Sequence, residues 1–93
     1  MIDVKTKSGF KMSLDEKLLE DQDMLDLIVA SESEDESEKL KATKELYEFI
    51  LGDDGYKALK DHVRKNNDGY CPARVLSAEF LELLNSSKEI KNS

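Results

Sequence analysis

The sequence has one cysteine, one histidine and no long apolar run, and each shortage excludes a class of protein. Cys71 has no second cysteine for an intrachain disulfide, and a cysteine-rich zinc site is excluded for the same reason. The opening residues MIDVKTKSGF contain no apolar run after their charges, and no later segment is apolar over the length that a bilayer requires. These absences predict a cytosolic protein that does not enter a membrane.

Signatures of catalysis are also missing. His62 is the sole histidine, its spacing groups it with no serine or cysteine, and the chain has neither a phosphate-binding loop nor a glycine fingerprint. Cys71 is typical of a small buried apolar residue, and an encounter with His62 in space stays open. The carboxylates fall mostly on polar faces, where no apolar pocket separates their pKa values. We therefore expect a protein that is not an enzyme and needs no cofactor.

Two Asp-Gly-Tyr segments, at residues 54–56 and 68–70, raise the question of calcium binding. An EF-hand loop needs oxygen ligands at positions 1, 3 and 5, glycine at 6 and glutamate at 12. With Gly69 at position 6, Arg64 and Val75 occupy positions 1 and 12, and with Gly55 there, Ile50 occupies position 1. We expect no metal site, and Asp53-Asp54-Gly55 and Asn67-Asp68-Gly69 are predicted to be turns between helices.

Composition favours one acidic domain. The chain has 93 residues, 39% of them hydrophobic and 38% charged, which is enough for a thin core beneath charged helix faces. Acidic residues outnumber basic ones by 21 to 14, giving a net charge of −7. Because this charge repels phosphate, neither nucleic acid nor an anionic membrane is an expected partner, whereas a basic or neutral protein is.

Alternating apolar residues at the start predict a β-hairpin over residues 1–14. The turn segment Lys7-Ser8-Gly9 separates two runs of period two. The residues that share the apolar face are Ile2, Val4, Thr6, Phe10, Met12 and Leu14. An isolated hairpin is marginally stable in water, so this face must pack on the helices that follow.

Helical patterns fill residues 15–86, interrupted by an acidic loop at residues 31–37. The S-x-x-E spacing from Ser13 predicts a capping box, Asp21 is expected to cap the second helix, and Ser37 is expected to cap the third. In the second helix, Leu27 is predicted to lie away from the side shared by Met24, Leu25, Ile28 and Val29.

The next apolar stripe is predicted to end at Gly52, and its members are Leu40, Thr43, Leu46, Tyr47, Ile50 and Leu51. A further helix face has Tyr56, Leu59 and Val63 and ends in a basic turn. Pro72 is predicted to begin the last helix, and residues 87–93 are expected to fray. The sequence predicts one domain, residues 1–93, of α+β class and mainly α, with the hairpin packed on a bundle of about four helices.

The last helix has more apolar surface than one core stripe uses. Leu76, Phe80, Leu83 and Leu84 share a stripe, whereas Val75 and Leu81 project to opposite sides of it. The surplus predicts a surface for self-association or for a partner helix, with the candidate residues Met24, Leu27, Ile28, Val75, Phe80, Leu81 and Leu84. The alternative is that the last helix and the helix of Met24 to Val29 are each contacted on two sides within the monomer.

The order of these segments resembles a known family. The hairpin KTKSGF, the acidic helix near residues 21–27, the segment FILGDDGYKALKDHVR and the Asn-Asp-Gly turn before Pro72 are similar to small tail assembly chaperones. Such chaperones are encoded by long-tailed phages and prophages of Gram-positive bacteria. The resemblance extends from Val4 to about Leu84.

The resemblance implies a non-enzymatic role in the host cytoplasm. Proteins of this family are thought to coat the long helical tape measure protein, to keep it soluble and to recruit tail tube subunits. Two other functions remain open: a small acidic inhibitor or DNA mimic from a mobile element, and a structural subunit of the tail. The densest acidic run lies in the predicted loop, and this placement argues against mimicry because a mimic needs carboxylates on a rigid face.

Overall fold

Two antiparallel strands and four helices follow one another in the computed structural model, which describes residues 1–92 and, of these, the side chains of residues 1–88. The elements are β1 (Ile2–Lys5), β2 (Lys11–Leu14), α1 (Glu16–Leu19), α2 (Gln22–Ser31), α3 (Glu36–Lys65) and α4 (Ala73–Asn92). The predicted mainly α member of the α+β class, with a hairpin before about four helices, is confirmed.

The hairpin forms as the alternation predicts. Ile2 pairs with Leu14 and Val4 with Met12, and one face of the ribbon is largely buried. The turn is closed by the Thr6 amide, which donates to the Phe10 carbonyl at 2.9 Å, and by the Gly9 amide, which donates to the Thr6 carbonyl at 3.0 Å. The buried face therefore packs on the helices, with β1 mainly against α4.

Aspartates cap the first three helices. The side chains of Asp15 and Asp21 accept from the amides of Lys17 and Asp23, and Asp35 accepts from that of Glu38. The prediction for Asp21 is confirmed. The capping roles predicted for two serines are wrong, because Ser13 lies in β2 and donates to Asp3, while Ser37 lies inside α3.

The acidic connection is shorter than predicted. Instead of spanning residues 31–37 it has four residues, 32–35, because α2 includes Ser31 and α3 begins at Glu36. Ser33 donates to the Glu38 carboxylate at 3.2 Å, and the Asp35 amide donates to Ser33 Oγ at 3.1 Å. Carboxylates at the start of α3 face the positive end of the helix dipole, so much of the acidic run stabilises a helix terminus.

α3 is bent at Gly52, whose φ of 74° and ψ of 168° interrupt the helix where the sequence predicts its end. The predicted turn at residues 53–55 is wrong, since the chain is helical again beyond Gly52. A Cβ on Gly55 would lie 3.2 Å from Met12 Cε and from Leu51 Cβ, so this glycine allows β2 to approach α3. The second predicted turn is confirmed by Asp68 (φ 55°) and Gly69 (φ 91°).

α4 begins after Pro72, at Ala73, and is longer than predicted. The carbonyl of Pro72 accepts from the amides of Val75 and Leu76 at 3.1 and 3.0 Å. The backbone is helical as far as Asn92 and Ser87 is buried, within the segment 87–93 that is predicted to fray; residue 93 lies outside the described residues.

The core lies between the hairpin and the helices, and α2 packs chiefly on α3. Its fully buried side chains are Thr6, Leu14, Leu59, Val63 and Leu83. Leu40, predicted to belong to the stripe of α3, is exposed instead. No helix in the described part of the chain combines the length and the apolarity needed to cross a bilayer.

Replacing Gly52 with alanine is expected to destabilise the fold. A Cβ there meets no atom within 4 Å, so the cost arises from the backbone conformation, which side chains disfavour, and amounts to about 1–3 kcal/mol. Urea unfolding measures the change, with Asp54→Ala as the exposed neighbouring control, expected within about 0.5 kcal/mol of wild type. Equal stabilities of the two variants would contradict a strained kink.

Candidate protein-binding site

An open groove of about 660 Å³ runs between the α1–α2 side of the molecule and α4. We call it the α2–α4 groove. It is lined by Ile2, Glu16, Leu19, Glu20, Met24, Ile28, Ser31, Glu32, Lys39, Thr43, Leu46, Tyr47, Ser77, Phe80, Leu81, Leu84, Ser87 and Lys88. A concave surface with mainly apolar walls is the usual form of a site that binds apolar groups.

The floor of the groove consists of its most buried hydrophobic side chains, Ile2, Met24, Leu46, Tyr47 and Phe80. Tyr47 and Phe80 meet edge to face, with ring centroids 4.7 Å apart and an angle of 74° between the planes. This geometry is favoured by the ring quadrupoles and ties α3 to α4 beneath the groove.

Five of the seven predicted binding residues line this groove together: Met24, Ile28, Phe80, Leu81 and Leu84. They differ in accessibility, since Met24 and Phe80 are buried in the floor whereas Leu81 on the α4 wall is 56% exposed. An exposed leucine beside a buried apolar floor is the arrangement that contact with a partner would cover.

Leu27 and Val75, the other two predicted residues, do not line the groove. Both are half-buried and pack against the core. The predicted phase of α2 is therefore wrong: Leu27 lies on the core side, whereas Leu25 and Val29, predicted to accompany Met24, are exposed. The alternative prediction was that both apolar helices are contacted on two sides within the monomer. The half-burial of Leu27 and Val75 agrees with it, and the exposure of Leu81 does not.

Hydroxyl groups in the groove already have partners within the chain. Ser31 donates to the Ile28 carbonyl at 2.7 Å, Thr43 to the Lys39 carbonyl at 2.8 Å, and Ser87 to the Leu84 carbonyl at 2.6 Å. Ser77 is hydrogen-bonded to Tyr47. Since these groups need no external partner, the groove offers mainly apolar contact to an occupant.

Charged residues lie around the groove unevenly. The carboxylates of Glu16, Glu20 and Glu32 come from the α1–α2 side, and Glu16 lies 3.6 Å from the terminal amino group. Lys39 and Lys88 come from α3 and α4. The groove is therefore more acidic along one wall than along the other.

The pKa of the Tyr47 phenol is shifted by its burial in the groove floor. Burial raises the pKa of Tyr47 above its ordinary value of 10.0, and negative charge on Tyr56 and Cys71 adds to the rise, while the hydrogen bond with Ser77 opposes it. Burial is also the main cause of the raised pKa of Tyr56, whose ring stacks on Tyr47 at 5.5 Å.

A separate polar cluster joins the hairpin turn to α3 and α4. Ser8 Oγ donates to Glu79 Oε2 at 3.0 Å and lies 2.8 Å from His62 Nε2, while the ring of His62 is 5.3 Å from that of Phe10. In a catalytic triad the carboxylate orients the histidine, whereas here Glu79 holds the serine. These contacts attach the hairpin turn to α3 and α4.

The sequence spacing did not indicate the cluster of Ser8, His62 and Glu79, because His62 and Glu79 lie 54 and 71 residues after Ser8. The sequence left open a contact between Cys71 and His62, and the structure gives a different environment: Cys71 is half-buried and packs against the core. Among the side chains that the structure describes, those of residues 1–88, no group of three histidine, cysteine or acidic residues is placed to hold a metal ion.

Four apolar lining residues were missed as site residues: Ile2, Leu19, Leu46 and Tyr47. Ile2, Leu46 and Tyr47 were predicted on buried faces, and the signal that places them in a groove is tertiary. A partial signal was present in Tyr47, since a tyrosine in a core stripe needs a partner for its hydroxyl group.

The raised pKa of Tyr47 predicts a loss of stability in alkali. Between the unfolded and folded pKa values the unfolded chain has released a proton that the folded chain retains, so the free energy of unfolding falls as pH rises above about 10. Urea unfolding at several alkaline pH values should show a shallower fall for Tyr47→Phe than for wild type. The same slope for both proteins would contradict burial of this phenol.

Comparison with protein-family models found no match to this chain, and searches of curated proteins and of solved structures also found none.

Proposed function

We propose that this chain is a non-enzymatic tail assembly chaperone that covers apolar helix faces of a tape measure protein in the host cytoplasm. The observation that carries the proposal is the α2–α4 groove, in which Leu81 stays 56% exposed beside a buried apolar floor. The sequence resemblance supplies the identity of the client, and the groove supplies a surface able to contact it.

The physical demands of the task agree with this surface. A tape measure protein exposes apolar helix faces before the tail tube encloses it, and these faces aggregate unless another protein covers them. The groove supplies apolar contact with little need for exact hydrogen-bond partners, because its hydroxyl groups are bonded within the chain. A net charge of −7 keeps coated assemblies apart.

The exposed apolar residues also leave self-association as a proposal. Leu40 and Tyr70 are more than half exposed outside the groove. Contact between copies along a client would cover such residues and strengthen the coat. Recruitment of tail tube subunits is proposed on the resemblance alone.

A second candidate function is that of an acidic inhibitor that occupies a basic nucleic-acid-binding cleft. Its support is the acidic run, which the structure places at an ordered helix start and not in a long loop: Asp35 caps α3, and Glu36 and Glu38 lie in the first turn. An inhibitor of this kind competes with DNA for a basic protein in a salt-dependent manner.

The third candidate is a structural tail subunit. Such a subunit is present in the finished particle.

Leu81→Asp is expected to abolish the chaperone activity while the fold survives. A carboxylate at this position must lose water when an apolar helix enters the groove, so binding to tape measure fragments should weaken at least about tenfold. The measurement is the soluble fraction of a candidate tape measure protein co-expressed with each variant, supported by a binding titration with purified fragments.

Leu25→Asp is the matched control, because Leu25 is 52% exposed on a helix and does not line the groove. It should solubilise the client as wild type does. Circular dichroism and sedimentation verify that both variants keep the wild-type fold and oligomeric state. If Leu81→Asp solubilises the client as well as Leu25→Asp, the groove is not the client site.

A further inference from the structure

We infer that the occupant of the α2–α4 groove is one amphipathic helix of about three turns, whose apolar stripe faces the floor and whose basic flank faces the α1–α2 wall. This inference rests on the proposed function and specifies the chemistry of the client segment. It is argued from the length of the groove, its bonded hydroxyl groups and the distribution of charge around it.

The length follows from the α4 wall. Lining residues of α4 run from Ser77 to Lys88, and the eleven residue steps between them correspond to about 17 Å of helix, or three turns. A partner helix lying along this wall presents apolar side chains at positions i, i+3 or i+4, and i+7. An extended peptide is less suitable, because its backbone carbonyls would enter a mainly apolar groove whose hydroxyl hydrogens are already donated within the chain.

The direction of charge follows from the two walls. Glu16 and Glu32 lie on the α1–α2 side, where the terminal amino group 3.6 Å from Glu16 offsets part of their charge, and Lys88 lies on the α4 wall. A helix with lysine or arginine on one flank therefore has complementary charge in one orientation and like charge in the reverse orientation. The net charge of −7 also attracts a basic segment from a distance.

A second copy of this chain fits less well through its α2 face. The exposed apolar pair Leu25 and Val29 on α2 has the carboxylates of Asp23 and Asp26 on the same helix, and these would approach the acidic wall of the groove. A small apolar molecule also fits less well, because the groove is open and leaves Leu81 exposed, whereas small ligands are mostly enclosed.

Three synthetic peptides of about 14 residues test the inference. The first has an apolar stripe with lysines on one flank, the second has glutamates at those flank positions, and the third has the composition of the first with its apolar residues distributed around the helix. Fluorescence anisotropy at low salt should show the lysine peptide binding about tenfold more tightly than either of the others. Equal binding of the first and third peptides would overturn the helix, and equal binding of the first and second would overturn the charge direction.

Variants of the protein locate the binding. Leu81→Asp should remove binding of the lysine peptide, and Leu25→Asp should leave it unchanged. Glu32→Lys should reduce the preference for the lysine peptide over the glutamate peptide, because it reverses a charge on the acidic wall. A preference unaffected by Glu32→Lys, or a Leu81-dependent dimer of the chain that excludes the peptide, would contradict the inference.

Failure of this inference is distinguishable from failure of the proposed function. If a tape measure protein is solubilised in a Leu81-dependent way while the three peptides bind alike, the groove binds the client but not as an oriented basic helix. If the peptides behave as expected while the tape measure protein stays insoluble, the helix site stands and the chaperone function is wrong.

Discussion

The edge-to-face contact between Tyr47 and Phe80 is the interaction on which the groove depends, because it joins α3 to α4 at the base and leaves the space above it open. α4 is also held from the other side by the hairpin, where the Lys7 amide donates to Glu82 at 2.6 Å and Ser8 donates to Glu79 at 3.0 Å. α2 meanwhile packs chiefly on α3. Since α4 is fixed by partners other than α2, the two helices form separate walls and an apolar trench remains between them.

The sequence predicted the elements better than the directions in which they face. The hairpin followed from alternation that is unambiguous over six positions, and the break at Gly52 followed from the residue itself. In α2, apolar residues occupy more than half of the helix circumference, so periodicity alone cannot tell which arc meets α3. The side predicted to contain Leu25 and Val29 is exposed at these two residues, whereas Leu27, predicted to lie away from it, packs on the core.

Helix caps and helix ends were predicted less accurately, because several neighbouring polar residues can each serve as a cap. Ser13 satisfies a capping pattern, yet the register of the hairpin places it opposite Asp3, and Asp15 takes the cap instead. The polar end of α4 predicted fraying, whereas the backbone is helical to Asn92 and Ser87 is buried in the groove wall. The composition of a segment shows how polar it is, whereas its burial depends on tertiary contacts that composition does not show.

Size limits how tightly such a groove can hold a client, and that limit suits the proposed task. A helix of about three turns covers much less surface than the roughly 1,600 Å² of a standard stable interface, so each contact is weak by itself. A long helical client offers many such segments, and many copies of a small chaperone can bind along it. Under the proposed function, each copy binds through its own short contact, so the copies are displaced one at a time at a small free-energy cost per step. A deeper groove with unsatisfied hydrogen-bonding groups would bind one segment more selectively and would resist that displacement.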